Sequence, residues 1–207
     1  MASVRTESPE LSFIRDLPLS KAALEFARVR HAGQTRGSDR AEFVLHPVEV
    51  ASSLERSHYP DYVVAAAILH DVLEDTHAER CDIEARFGPE VAELVTTLSD
   101  DPSIGDEDRR REDLRERVRR AGGYASAIFA ADKVSKVREL RALLASSPPT
   151  AEIEGKLRHY WASLKMLESV MPGSPLVELL RFELEALEQI PPRLRSDASD
   201  ATDPGRP

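Results

Sequence analysis

Four ionisable side chains, His70, Asp71, Glu74 and Asp75, follow directly on an unbroken apolar run from Tyr62 to Leu69. A helix that is apolar all round is buried. Ionisable groups at its buried end are costly unless they hold a metal or one another. On a helix, positions three and four apart share a face, which sets His70 beside Glu74 and Asp71 beside both Glu74 and Asp75. Imidazole with carboxylate suits borderline to hard divalent ions such as Mn, Fe or Zn. Two further candidates lie elsewhere: His46, immediately before Pro47, and Asp132 in IFAADKV, again a carboxylate after an apolar stretch. Together, His46, His70, Asp71 and Asp132 make a two-histidine, two-aspartate site. Each has an ordinary reading when taken alone. His46 could bond a backbone carbonyl, Asp132 could pair with Lys133 or Lys136 on a wet face, and Glu74-Asp75 could end a helix. The last reading sets acid at a helix C-terminus, against the macrodipole.

The elements that must position these residues read as helices. Pro18-Leu19-Ser20 offers a helix start with Ser20 as a candidate cap, and Ala22, Ala23, Phe26 and Val29 form a stripe up to His31. Residues 33–39 are a loop by composition. Pro47 sets His46 at or just before the start of the next helix. The stretch from Pro60 to Thr76 reads as one buried helix. Asp82 to Phe87, stopped by Gly88, and Pro89 to Leu98 are two short helices. Arg109 to Arg120 is a mostly solvated helix with Leu114 and Val118 four apart, broken by Gly122-Gly123. Tyr124 to Leu144, Ala151 to Val170 and Pro175 to Ile190 complete the set, with SSPPT as a break. No run alternates with period two. The reading is an all-α single domain, a helical bundle of roughly eight to ten helices, over residues 20–190. A flexible leader and the first helix start precede it over 1–19, the leader being loose to about residue 10, and a disordered tail follows over 191–207.

Composition narrows the function. The chain of 207 residues is 41% hydrophobic and 31% charged, a soluble globular profile. No apolar run approaches the roughly 18 residues of a membrane span, and MASVRTESPE lacks the apolar stretch of a signal peptide. The one cysteine, Cys81, fits a reducing cytoplasm. A net charge of −9 disfavours nucleic acid as a partner. Any anionic ligand needs local basic groups or a metal. Oligomeric state is not legible.

An upstream His, then HD inside an apolar helix, then a distant Asp resembles the HD-domain metal-dependent phosphohydrolases. The finer resemblance is to the RelA/SpoT hydrolase domain and the stand-alone small alarmone (ppGpp) hydrolases. It is carried by HAGQTR (31–36), HPVEVA (46–51), AAILHDVLEDT (66–76), FGPEVAELV (87–95) and ADKVSKVREL (131–140). It implies an all-α HD-domain bundle that hydrolyses the 3′-pyrophosphate of (p)ppGpp to GDP or GTP and pyrophosphate. By the resemblance, His46, His70, Asp71 and Asp132 are metal ligands, usually for Mn²⁺, and Glu74 and Asp75 are the catalytic acidic pair. Arg36 matches an arginine that packs on the guanine base, Lys133 stands where the family is often basic, and Tyr160 looks like the tyrosine near the nucleotide; Lys136 and Lys156 are further substrate-binding candidates.

The match departs mildly at Phe43-Val44, where the family has tyrosine-isoleucine before HP, and more consequentially in two further places. Lys136 stands where the family has an asparagine that contacts ribose, and Asp106 falls about where the stand-alone enzymes carry a phosphate-binding lysine. Both touch substrate reading more than metal chemistry. They leave open another phosphorylated nucleotide or cofactor as substrate, or a non-catalytic nucleotide-binding HD domain. The length suits a hydrolase unit alone.

Overall fold

The structure is a computed structural model that describes residues 9–144 and 150–189. The expected loose leader up to residue 8, most of the SSPPT break and the tail from Pro191 lie outside the described residues. A 3-10 turn, Pro9–Ile14, leads into ten α-helical segments: α1 Pro18–Arg30, α2 Leu45–Arg56, α3 Asp61–Leu69, α4 Val72–Asp75, α5 Arg80–Phe87, α6 Pro89–Leu98, α7 Glu107–Ala121, α8 Gly123–Leu144, α9 Ala151–Val170 and α10 Pro175–Glu188. The described residues contain no strand; a single bridge joins Thr35 and Glu42 in the 33–44 loop. No helix among them is long and apolar enough to cross a membrane.

Helix α3 lies at the centre because its composition allows nothing else. Every residue from Val63 to Leu69 is fully buried, and the helix packs against α1, α2, α6 and α8. Three consecutive alanines let neighbours approach its backbone, while Ile68 and Leu69 contribute about 1.5–3 kcal/mol each by burial. The second central helix is α8, buried almost without interruption from Ala125 to Ser135 and flanked by α2, α7, α9 and α10. Helix α2 touches both α3 and α8. The end of α3, the start of α2 and the middle of α8 therefore meet, each bringing an ionisable residue into the core.

Three local features depart from the sequence reading. The apolar segment does not run on as one helix to Thr76. It stops at Leu69 and resumes as the short α4, because the His70 imidazole bonds the Ala67 carbonyl at 2.7 Å and competes with the helical ladder. Thr76 then closes α4, its hydroxyl donating to the Val72 carbonyl at 2.6 Å. Ser20 is not the cap of α1, which begins at Pro18. The cap comes from 41 residues away. The Asp61 carboxylate accepts from the backbone N–H of Leu19 and Ser20, both at 2.9 Å, and from the Ser20 hydroxyl at 2.6 Å. Gly123 does not break the chain but opens α8, leaving Gly122 (φ 59°) as the turn. The Gly88 stop holds, with φ at 88° between α5 and α6.

Because Asp61 satisfies the first turn of α1 from the first turn of α3, Asp61→Ala is expected to destabilise the protein by about 1–2 kcal/mol, read by denaturant unfolding. An unchanged midpoint would show that α1 does not depend on this cap.

Candidate active site

His46 is the second residue of α2, His70 and Asp71 form the corner between α3 and α4, and Asp132 lies in the buried centre of α8. All four are buried. His46 Nε2 lies 3.1 Å from Asp132 Oδ1 and 3.5 Å from Asp71 Oδ2, and His70 Nε2 lies 3.2 Å from Asp71 Oδ1 and 3.5 Å from Asp132 Oδ1. The structure thus brings together residues 86 positions apart in sequence. Ligand atoms of His46, His70 and Asp132 lie within 4.8 Å of one another, and Asp71 borders them.

These donors fit a divalent cation. The partner of His70 Nδ1 is a backbone carbonyl, which only accepts. Nδ1 therefore carries the proton, and Nε2 turns toward the carboxylates. His70 Nε2 and Asp71 Oδ2 are buried and make no hydrogen bond, the pattern expected of groups made for a ligand. Two imidazoles with two carboxylates match the mixed N and O donor set of divalent first-row ions.

The electrostatics point the same way. Burial alone would push the His70 imidazole down, but Asp71 and Asp132 outweigh it and raise it to about 10. Burial would raise Asp71, yet His70 and Lys136 hold it well below the usual carboxylate range. Burial likewise opposes ionisation of Asp132, and Lys133 and Lys136 overcome it. The pocket floor stabilises positive charge wherever it can find it.

With His46 in contact with both carboxylates, His70, Asp71 and Asp132 line a cavity of about 380 Å³. Glu74 opens onto it. Desolvation by the enclosing walls, then the charge of Asp71, push Glu74 up to about 7, and the Asp100 N–H donates to its Oε1 at 2.5 Å. Asp75 is exposed, as Glu74 is on its outer side, but Asp75 is not among the cavity walls. Burial and Asp71 raise its pKa, and the Gln34 amide donates to its carbonyl at 2.7 Å. Lys133, Lys136, Lys156 and Tyr160 all line the cavity. Lys133 is buried, bonded to Asp132 Oδ2 at 2.7 Å, with its ammonium 4.4 Å from the Phe129 ring. Lys136 is half-buried, 3.1 Å from Asp132 Oδ1, so the pairing of Asp132 with both lysines occurs in the core and not on a wet face. Lys156 pairs with Glu152 at 2.7 Å. Burial raises Tyr160 to about 12.

Arg36 is placed differently. Its guanidinium contacts Asp39 at 2.6 Å and Glu49 at 2.9 Å and lines an adjoining cavity of about 680 Å³. Stacking on a base would require it to leave those partners. Asp106 caps α7, accepting from the Arg109 N–H at 2.8 Å, which accounts for an acid at that position.

Three site residues were missed in the sequence. Arg111 lines the cavity, although α7 reads as a solvated helix. His159 lies beside Tyr160 in the same wall, and Arg115 Nη1 donates to its Nδ1 at 2.6 Å. Burial, with Lys133 and Arg115, pushes it down to about 2. A neutral ring is required, since an arginine has no acceptor to offer. Gln34 carries the third role, buttressing α4 from the HAGQTR loop. Its place in the HAGQTR segment, beside His31, was the signal.

The family model for the HD domain matches residues 23–165. Guanosine-3′,5′-bis(diphosphate) 3′-pyrophosphohydrolase MESH1 of Drosophila melanogaster is 30% identical over 154 residues, covering 73% of this chain and 83% of the fly protein. A guanosine-3′,5′-bis(diphosphate) 3′-pyrophosphohydrolase of Vibrio cholerae is 33% identical over 132 residues, covering 64% of this chain but 17% of that longer protein. A solved structure, described as a metazoan orthologue of SpoT that hydrolyses ppGpp, superposes with a TM-score of 0.71 at 27% identity, covering 84% of this chain and 97% of its own. A buried His/Asp cluster at the meeting of three helices and these matches lead to one conclusion: the chain belongs to the HD-domain family, as a homologue of the MESH1 and SpoT/Rsh proteins.

Proposed function

We propose that this protein is a metal-dependent 3′-pyrophosphohydrolase of guanosine alarmones, converting (p)ppGpp to GDP or GTP and pyrophosphate. One observation carries the reading: His46, His70, Asp71 and Asp132 converge at the end of a cavity that also holds Glu74 and the cationic groups of Lys136, Lys156 and Arg111. The substrate is taken from the names of the MESH1 relatives. The hydrolytic unit is assigned to residues 20–190.

We assign the four residues as ligands and Mn²⁺ as the ion, a donor set that another divalent metal could also use. When bound, such an ion offsets phosphate charge and lowers the pKa of a water toward neutrality. Glu74, which lines the cavity, takes the proton of the attacking water. A pKa near the working pH suits a proton acceptor. The water oxygen bonds to the phosphorus next to the ribose, the bond from that phosphorus to the 3′-oxygen breaks, and the proton passes to the departing oxygen. Asp75 completes the acidic pair from outside the cavity wall. Lys136, Lys156 and Arg111 offset the pyrophosphate charge, which the net −9 of the chain would otherwise repel. Lys133, pinned between Asp132 and Phe129, orients the aspartate, and Tyr160 closes the wall near the nucleotide. The cytoplasm is the assigned compartment, as the exposed, unpaired Cys81 suits a reducing one.

A second reading keeps the chemistry and changes the nucleotide. Lys136, at the position where the family's ribose-contacting asparagine is expected, is an ammonium group that could take a differently placed phosphate.

Three outcomes are expected. Purified protein with Mn²⁺ releases pyrophosphate from ppGpp. A nucleotide panel in which ppGpp is untouched while another phosphorylated nucleotide is cleaved would transfer the assignment to the second reading. Saturating Mn²⁺, at about 100 times its Kd, stabilises the fold by about 2.7 kcal/mol, read as a shift in the unfolding midpoint that Asp132→Asn abolishes; an unshifted wild type would contradict the ligand assignment. Because Glu74 must be ionised to accept a proton, kcat/KM falls as pH drops through about 7. Glu74→Gln lowers kcat by roughly 10²–10⁴-fold, and a variant of near-normal rate would remove Glu74 from the chemistry.

A further inference from the structure

We propose that Ser135 and Glu49 are positioning residues of the metal centre, holding His46 in the one tautomer whose Nε2 is free to ligate. The inference rests on the reading of His46 as a ligand. Ser135 is buried on α8, three residues beyond Asp132. Its hydroxyl oxygen lies 3.0 Å from His46 Nδ1 and 2.8 Å from Glu49 Oε2. A hydroxyl has one proton to give, and a carboxylate oxygen only accepts. The Ser135 proton therefore goes to Glu49, and the hydroxyl meets His46 with a lone pair. Nδ1 must then carry the ring proton. An imidazole that gives up one proton keeps only this one, so Nε2, which meets Asp132 Oδ1 at 3.1 Å and Asp71 Oδ2 at 3.5 Å, is the nitrogen freed to ligate a cation in their midst.

Arg36 fixes the direction of this chain. Its Nη1 donates to Glu49 Oε1 at 2.9 Å, and Asp39 holds the other side of the guanidinium. Glu49 is thereby held as an acceptor whose second oxygen faces Ser135. Both histidines keep a proton on Nδ1, by different means. His70 faces a backbone carbonyl, which cannot reverse. His46 faces a hydroxyl, which can point either way. Without Glu49, the Ser135 proton could turn to Nδ1, moving the ring proton to Nε2 and blocking the ligand atom. Groups that orient metal-binding histidines in this manner change affinity by roughly 10–100-fold when removed.

The test is Mn²⁺ titrated calorimetrically into purified, metal-free protein, with no substrate present. Ser135→Ala, which leaves the charge unchanged, and Glu49→Ala are each expected to weaken binding by about tenfold or more. Ser135→Thr, which keeps the hydroxyl, binds as wild type, and the unfolding midpoints of the metal-free variants stay in place. Ring-nitrogen NMR of metal-free protein at alkaline pH adds a signature that a general packing role would not move: the Nε2–H form of His46 rises in Glu49→Ala. Variants that bind within about twofold of wild type overturn this inference alone. A wild type that binds no Mn²⁺ overturns the metal-centre reading and this inference with it.

Discussion

The structure turns on a mismatch of charge and burial. Asp71 and Asp132 are ionised side chains at 5% and 4% exposure, set among helices that are otherwise apolar. Two buried carboxylates this close cannot stand without compensating positive charge. The protein meets the demand with the raised imidazole of His70 beside the carboxylates, Lys133 on one side of Asp132 and Lys136 on the other, while His46 contacts both carboxylates. That arrangement holds the fold together and leaves His70 Nε2 and Asp71 Oδ2 without hydrogen bonds. A divalent cation would meet the same demand with more charge in less space.

The surrounding helices follow from this constraint. The alanines of α3 bring α2 and α8 close enough for residues from three helices to share one centre. The turn at His70-Asp71 leaves both side chains buried beside His46 and Asp132. Asp61 fixes the far end of α3 to α1, and Gln34 braces α4 beyond the corner. The four clustered residues therefore sit on packed helices or the turn between them, while Arg111, Lys136, Lys156 and Tyr160 line the cavity from α7, α8 and α9.

What was legible in the sequence follows from how local each cause is. Pro89, Gly88 and the apolar run of α3 act within a few residues, and the helices they mark are where the spacing sets them. His46, His70, Asp71 and Asp132 were legible because ionisable groups beside apolar runs are conspicuous. The cap of α1 was not, since its carboxylate is 41 residues away and Ser20 offered a plausible local substitute. The corner in α3 was hidden because His70 and Asp71 keep helical backbone angles, and only a side chain bonding to Ala67 interrupts the ladder. Arg111 looked solvated because α7 has a narrow apolar stripe, Leu114 and Val118, and nothing in its spacing reports the cavity on the other side. The order of hydrogen bonds through Ser135, Glu49 and Arg36 crosses two helices and a loop, and no periodicity encodes it.

The most direct test of the account is anomalous diffraction from crystals of the protein soaked in Mn²⁺. The account predicts one ion bound by His46 Nε2, His70 Nε2, Asp71 and Asp132, with the Lys136 ammonium displaced from Asp132. An ion bound elsewhere, or none, with Lys136 still paired to Asp132, would contradict it.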